Sequence, residues 1–322
     1  MNFKDRLQKQ GGLPVGFSGA HPCFGNVYFV DSTNGSATGD GDNPSEAFST
    51  IQLALTAQAA DASALGDIIY ILPGTYVEDD LNDNLAKVQI IGVSCSGVPG
   101  AAGIAPSTGN AWTGTMDNAA LRNMQFRQSS GTNSSYAALA ITDMTDSIVD
   151  NCHILGVKDT ASSVGIRIGA ESDAAWELME RAIISNCLIS NMSSRTKEFD
   201  AGICFGNFGD NDNSDTRMFK SSLIFNNRIN AHFHGIKLAT DDANNSGGQI
   251  DSNTIRSAQG SAEMSSYGIS ACGNSTDLLC LVINNRIIGS NDAIVGFRAQ
   301  NVLHNYISEG GVEKEESDIA QY

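Results

Sequence analysis

Basic residues are scarce in this chain: 19 Lys and Arg stand against 36 Asp and Glu, a formal net charge of −17 over 322 residues. That balance excludes nonspecific nucleic-acid binders, which need a basic face for the phosphates. It also disfavours acidic membranes and strongly anionic polysaccharides that no cation bridges, and its simplest role is solubility. Long apolar runs are missing as well. None occurs in the first ten residues and none elsewhere approaches a membrane span, so neither signal peptide nor anchor is predicted and folding in a cytoplasm is the default. The seven cysteines are an odd count without metal-ligand or secreted-framework spacing, and free thiols are expected. No Gly-rich phosphate loop, Ser-His-Asp spacing or Cys-x-x-Cys pair appears.

What the chain has instead is repetition. Gly165-Ile166-Arg167-Ile168, Gly202-Ile203-Cys204-Phe205, Gly235-Ile236-Lys237-Leu238 and Gly268-Ile269-Ser270-Ala271 repeat one pattern, with Ala293-Ile294-Val295-Gly296-Phe297 a looser copy. A second pattern alternates with it: an aliphatic residue, a bend that usually holds Asn, and an Ile. It runs from Val149 to Ile154, Ile184 to Ile189, Ile224 to Ile229, Ile250 to Ile255, Val282 to Ile287 and Val302 to Ile307, with an earlier copy from Leu121 to Phe126. Irregular spacing suits short constant strands joined by loops of varying length, and two alternating motifs give three strands per turn. The prediction is an all-β chain: a right-handed, single-stranded parallel β-helix of about eight rungs, with an N-terminal capping α-helix.

At the bend, an Asn side chain can both donate and accept. Asn227, Asn253, Asn285 and Asn305 should therefore bond from rung to rung as a ladder. Met124, Cys152 and Cys187 fall at the matching positions above and should stack as soft apolar groups. The inward column is Ile154, Ile189, Ile229, Ile255, Ile287 and Ile307.

Around this coil, residues 1–26 read as an extended arm whose Phe3, Leu7, Leu13, Val15, Phe17 and Phe24 cannot be buried against one another. They are expected to make attachment contacts. Residues 27–83 hold a cap and first strands, including a helix over about 46–62 capped by Asn43 or Ser45, with Ile51, Leu53, Ala54, Leu55 and Ala59 on its buried face. The β-helix proper is assigned to 84–308, and 309–322 is an acidic tail too polar for another rung.

Tyr28-Phe29-Val30-Asp31, Ala47-Phe48-Ser49-Thr50-Ile51-Gln52-Leu53-Ala54-Leu55, Gly66-Asp67-Ile68-Ile69-Tyr70-Ile71 and Pro73-Gly74-Thr75-Tyr76-Val77-Glu78 resemble the opening of right-handed β-helix proteins of the pectate-lyase-like superfamily. With the later rungs, the resemblance covers roughly residues 27–308. It implies that the helix caps the top of the coil and that the Pro-Gly-x-Tyr segment turns into the first rungs. It leaves function open, because lyases, hydrolases, esterases and phage structural proteins share this fold.

The catalytic motifs of that superfamily are not met. Its polygalacturonases place an Asp pair before Gly-His-Gly and then Arg-Ile-Lys, whereas here His232-Phe233-His234-Gly235-Ile236-Lys237 precedes Asp241-Asp242. The Gly-x-Arg-Asp-Phe-Ile-Phe-Gly segment of pectin methylesterases has no counterpart, and no set of calcium-binding Asp with an Arg base can be matched. His232 and His234 straddle a short bend and are read as structural. Three insertions, with Glu171, Asp173, Glu177 and Glu180, with Asp210, Asp212 and Asp215, and with Asp241 and Asp242, should stack as an acidic ridge. Within it Asp210, Asp212 and Asp215 alternate like the first half of a calcium loop. Position six is Asp rather than Gly, and position twelve is Ser221 rather than Glu. No cofactor is expected; calcium at Asp210, Asp212 and Asp215 is the alternative to that reading.

The expected function is that of a non-enzymatic bacteriophage virion protein, a capsid decoration, fibre or small spike component, made in the host cytoplasm and without hydrolase or lyase activity. The alternatives are a tail-associated polysaccharide depolymerase, whether glycoside hydrolase or lyase, and a non-catalytic carbohydrate-binding surface protein. The expected partners are further copies of the chain in a homotrimer, other virion proteins and a host surface glycan, with neither nucleic acid nor membrane.

Overall fold

The computed structural model describes residues 25–60, 66–79, 81–82, 84–94, 101–128, 137–156, 163–169, 177–191, 199–206, 217–239, 246–257, 267–272, 279–289, 292–297, 299–309 and 312–314. It is a right-handed parallel β-helix. One side is a ten-stranded sheet in the order Val27–Val30, Asp67–Ile71, Val88–Gly92, Ala120–Arg122, Ile148–Asp150, Ile183–Ser185, Leu223–Phe225, Ser246–Asp251, Leu279–Ile283 and Val302–Leu303. Neighbours are parallel throughout. At about 4.8 Å per strand the stack rises roughly 43 Å. Eight of these strands, from Val88–Gly92 onward, fall within 84–308, in line with the expected rung count; the other two, Val27–Val30 and Asp67–Ile71, belong to the cap region.

A twenty-stranded sheet wraps the other two sides. Strand Arg228–Ala239 belongs to both: Arg228 and Ile229 pair with Leu188 and Ile189, while His234, Ile236 and Lys237 pair with Ala201, Ile203 and Cys204. Between Ala231 and His234 the strand passes from one side to the next, and its register against Phe199–Phe205 shifts there, so His232 and His234 lie at the change of direction where the bend was expected. Each side sends one aliphatic column inward. Ile154, Ile189, Ile229, Ile255 and Ile287 are each 0% exposed and stack in register. Ile166, Ile203, Ile236 and Ile269 do the same on the second side.

The Gly before each of these latter isoleucines has a steric cause. A Cβ on Gly235 would lie 2.3 Å from Ile255 Cγ2 and 2.5 Å from the Gly268 oxygen, and one on Gly202 would lie 2.3 Å from Ile229 Cγ2. The inward isoleucine of the adjoining side fills the space that a side chain would need. The bends flanking the ten-stranded sheet are made by left-handed residues in two columns. Asn123, Asn151, Asn186, Asn226, Ser252, Asn284 and His304 follow its strands, while Lys87, Asn118, Asp146, Arg181 and Ser221 precede them, all with φ between 48° and 56°. Asn tolerates this region better than other L residues, which explains its frequency after the strands.

The helix differs from expectation. Asn43 caps only a short 3-10 turn, Pro44–Glu46, and the α-helix, α1, spans Ile51–Ala60. Its buried face is Ile51, Ala54, Leu55 and Gln58, with Leu53 half-buried and Ala59 exposed. Its N-terminus is closed by Glu78, whose carboxylate accepts from Ile51 N at 2.8 Å and Gln52 N at 2.9 Å. Two residues earlier, the Tyr76 hydroxyl lies 3.0 Å from the Val30 oxygen and 2.9 Å from the Leu72 oxygen. The Pro-Gly-Thr-Tyr-Val-Glu segment thus ties the cap to the first two strands. At the other end the tail supplies strand Val312–Lys314, which pairs antiparallel with Tyr306–Glu309.

Candidate functional site

Asn227, Asn253, Asn285 and Asn305 are bonded in series. Asn227 Nδ2 donates to Asn253 Oδ1, Asn253 Nδ2 to Asn285 Oδ1 and Asn285 Nδ2 to Asn305 Oδ1, each at 3.0 Å. Backbone N–H groups also donate to these oxygens, and above them Cys187 N donates to Asn227 Oδ1 at 2.9 Å. A second, exposed series that the sequence did not predict runs beside it: Asn151 Nδ2 donates to Asn123 Oδ1 and Asn226 Nδ2 to Asn186 Oδ1, both at 2.8 Å. These bonds hold bends rather than ligands. Cys152, Cys187, Cys204 and Cys280 are buried free thiols, and burial pushes the Cys280 thiol above its ordinary range.

The calcium candidates Asp210, Asp212 and Asp215, the attachment candidates Phe3, Leu7, Leu13, Val15, Phe17 and Phe24, and the ridge acids Glu171, Asp173, Asp241 and Asp242 lie outside the described residues. No cluster of three or more metal-ligating side chains occurs among the described residues. Part of the expected ridge is regular strand instead: Glu177–Glu180 pairs parallel with Arg217–Lys220. Glu180 is compensated there by Arg181 and by Lys220 at 3.4 Å, and Arg181 bridges to Asp146 at 2.7 Å. That bridge holds the Asp146 carboxyl below its usual value.

The outward residues of the third side form a different surface. Their main column is Gln125, His153, Leu188, Arg228, Thr254, Arg286 and Tyr306, stacked in register, with Arg127, Leu155, Ser190, Asn230, Arg256, Ile288 and Ser308 beside it on the same face. Arg228, Arg256 and Arg286 are exposed, and none has an ion-pair partner among the described residues. Tyr306 is 42% exposed, with the Arg286 guanidinium 5.6 Å from its ring centre. Among the described residues, Glu309 and, in the antiparallel strand Val312–Lys314 beside it, Glu313 are the acids in the strands that form this face. Arg228 and Arg286 are two strands apart, so their backbones are separated by about 10 Å. The signal was present in the sequence, since the residue before each inward Ile must point outward.

The second side carries a concentrated polar group. Arg167, Cys204, Lys237 and Ser270 are register partners facing outward, at 7, 0, 2 and 4% exposure. In the next column His234 pairs with Tyr267, and their rings stack at 5.0 Å and 26°. His234 Nδ1 lies 2.7 Å from Ser270 Oγ. Burial, and then the charge of Lys237, lower the His234 pKa to about 4. The imidazole is therefore neutral in the native chain at pH 7. The sequence did not reveal this group, because the partners of His234 come from the following rung.

The pKa depression carries a stability consequence. The folded value of about 4 lies below the ordinary 6.5, so between those limits the unfolded chain binds a proton that the native chain does not. The contribution is complete above pH 6.5 and is lost as pH falls toward 4. Urea melts at pH 7 and near pH 5 should show wild type losing more stability than His234→Gln. Half-buried His153, also depressed by desolvation, adds a background of the same sign in both proteins.

No protein-family profile and no curated protein matches the chain. Among solved structures, pectin methylesterase PemA from Erwinia chrysanthemi is similar at 13% identity and a TM-score of 0.46, over 89% of this chain and 90% of that one. An alginate lyase from Paenibacillus gives 16% and 0.49, over 74% and 78%. PfbA, a surface adhesin of Streptococcus pneumoniae, gives 14% and 0.41, over 81% and 88%. At these values the likeness is one of coil architecture, and the chemistry of the site rests on this chain's own residues.

Proposed function

We propose that the chain is a polysaccharide-binding β-helix protein whose third side holds an extended acidic glycan. The observation that supports this is the stripe of exposed Arg228, Arg256 and Arg286, without ion-pair partners among the described residues, ending on Tyr306. Guanidinium groups form forked hydrogen bonds with carboxylates or sulfates, and a Tyr ring offers an apolar body to a sugar face. The net charge of −17 argued against anionic ligands only as an average. Within the described strands of this face the arginines outnumber the acids, so the local balance is positive. A flat array of register-aligned side chains along the coil axis also suits a linear polymer better than a compact ligand. A virion setting, expected from the sequence, has no structural observation behind it.

Affinity electrophoresis or calorimetry with polygalacturonate, alginate and neutral dextran tests this function. Wild type should bind the two acidic polymers with an affinity that falls as salt rises, and should ignore dextran. The triple variant Arg228→Gln, Arg256→Gln, Arg286→Gln should bind at least about tenfold more weakly, a loss of roughly 1.4 kcal/mol or more. Unchanged binding by that variant would place the ligand elsewhere. Equal binding of single-stranded DNA would mean a nonselective polyanion surface.

A further inference from the structure

We infer that the second side carries an ester-hydrolysing site, separate from the arginine stripe, in which Ser270 is the nucleophile and His234 its base. Three features stand together there. The Ser270 hydroxyl is within 2.7 Å of His234 Nδ1, within the reach that proton transfer requires. The imidazole is oriented by its stack on Tyr267 at 5.0 Å. Lys237, register partner of Ser270 and 2% exposed, places a charge close enough to depress the His234 pKa.

A lone Ser–His contact would be ordinary core satisfaction, because a buried hydroxyl needs a partner. These two residues, however, belong to the outward columns of the coil, and His234 and Tyr267 remain partly open to solvent. A neutral imidazole can take up the hydroxyl proton, which a protonated one could not. Lys237 brings positive charge near this pair, and a cation near a developing oxyanion is worth more out of water than in it.

The step balances as acyl transfer. Ser270 Oγ bonds to the ester carbonyl carbon as its proton passes to His234 Nδ1. The carbon–alkoxide bond then breaks, and the alcohol leaves with that proton. Water adds to the acyl-serine by the reverse use of His234, releasing the acid and restoring the hydroxyl. The substrate class is a small acyl or alkyl ester, such as the ester groups carried by sugars.

The test uses the full chain with p-nitrophenyl acetate and a fluorophosphonate probe. Both are uncharged monomers and do not depend on glycan binding, so a failure of the stripe and a failure of this site are read separately. Covalent labelling of Ser270, located by mass spectrometry, is expected, together with ester turnover that falls about 100-fold or more in Ser270→Ala and in His234→Gln. Thermal melts of both variants establish that they are folded. Absence of label on folded wild type, or turnover in Ser270→Ala within about twofold of wild type, would overturn the assignment. A Ser270→Ala variant that only loses thermal stability, from a wild type without turnover, would show the hydroxyl to be a packing partner.

Discussion

Ile229→Asp should destabilise the chain by at least about 4 kcal/mol. Ile229 is 0% exposed and stacked between Ile189 and Ile255, and its Cγ2 occupies the space that Gly202 leaves empty. A carboxylate there would have aliphatic groups above, below and beside it, and no donor within the column. Protonation would reduce the penalty but leave a carboxylic acid without partners. Ile229→Val, which removes one methylene, should cost only about 1 kcal/mol. Chemical denaturation of the two variants side by side checks this, and an Asp variant that melts with wild type would show the column register to be wrong.

Asn253→Leu is expected to be nearly as damaging although it makes the interior more apolar. Asn253 Oδ1 accepts from Asn227 N and Asn227 Nδ2, and its Nδ2 donates to the Ile224 oxygen and to Asn285 Oδ1. Leu replaces the volume and removes all four bonds in a place that water does not reach. At about 1–3 kcal/mol for each polar group left without a partner, a loss of roughly 3 kcal/mol or more follows. Asn305→Leu breaks a comparable set, but Asn305 is 7% exposed against 0% for Asn253, so water can replace part of what is lost. Urea midpoints should therefore fall further for Asn253→Leu than for Asn305→Leu; equal losses would mean that the bonds are not what the ladder contributes.

The coil was legible because its determinants are local and repeated. An inward Ile fixes the alternation of its strand, and a Gly ahead of another Ile records the one position where a neighbouring side chain leaves no room. Features made by distant segments were not legible. The helix start was misplaced because its cap is Glu78, 27 residues from Ile51, and nothing near Asn43 reveals that. Ser270 is likewise 36 residues from His234, so that pair exists only once the rungs are stacked. The sum of charges over the chain likewise carries no information about which side of the coil Arg228, Arg256 and Arg286 occupy.

A parallel coil has an inherent hazard, since its last rung is a template on which the first rung of another copy could add without limit. Here α1 packs Ile51, Ala54 and Leu55 into the core beside Val30 and Ile69 of the first two strands, and at the lower edge Val312–Lys314 runs against Tyr306–Glu309 rather than along it. An incoming rung would meet a strand of opposite direction carrying Glu313 and Lys314, so its parallel register would find no match there. The reversal of three residues is thus a stop signal for fibre growth along that edge.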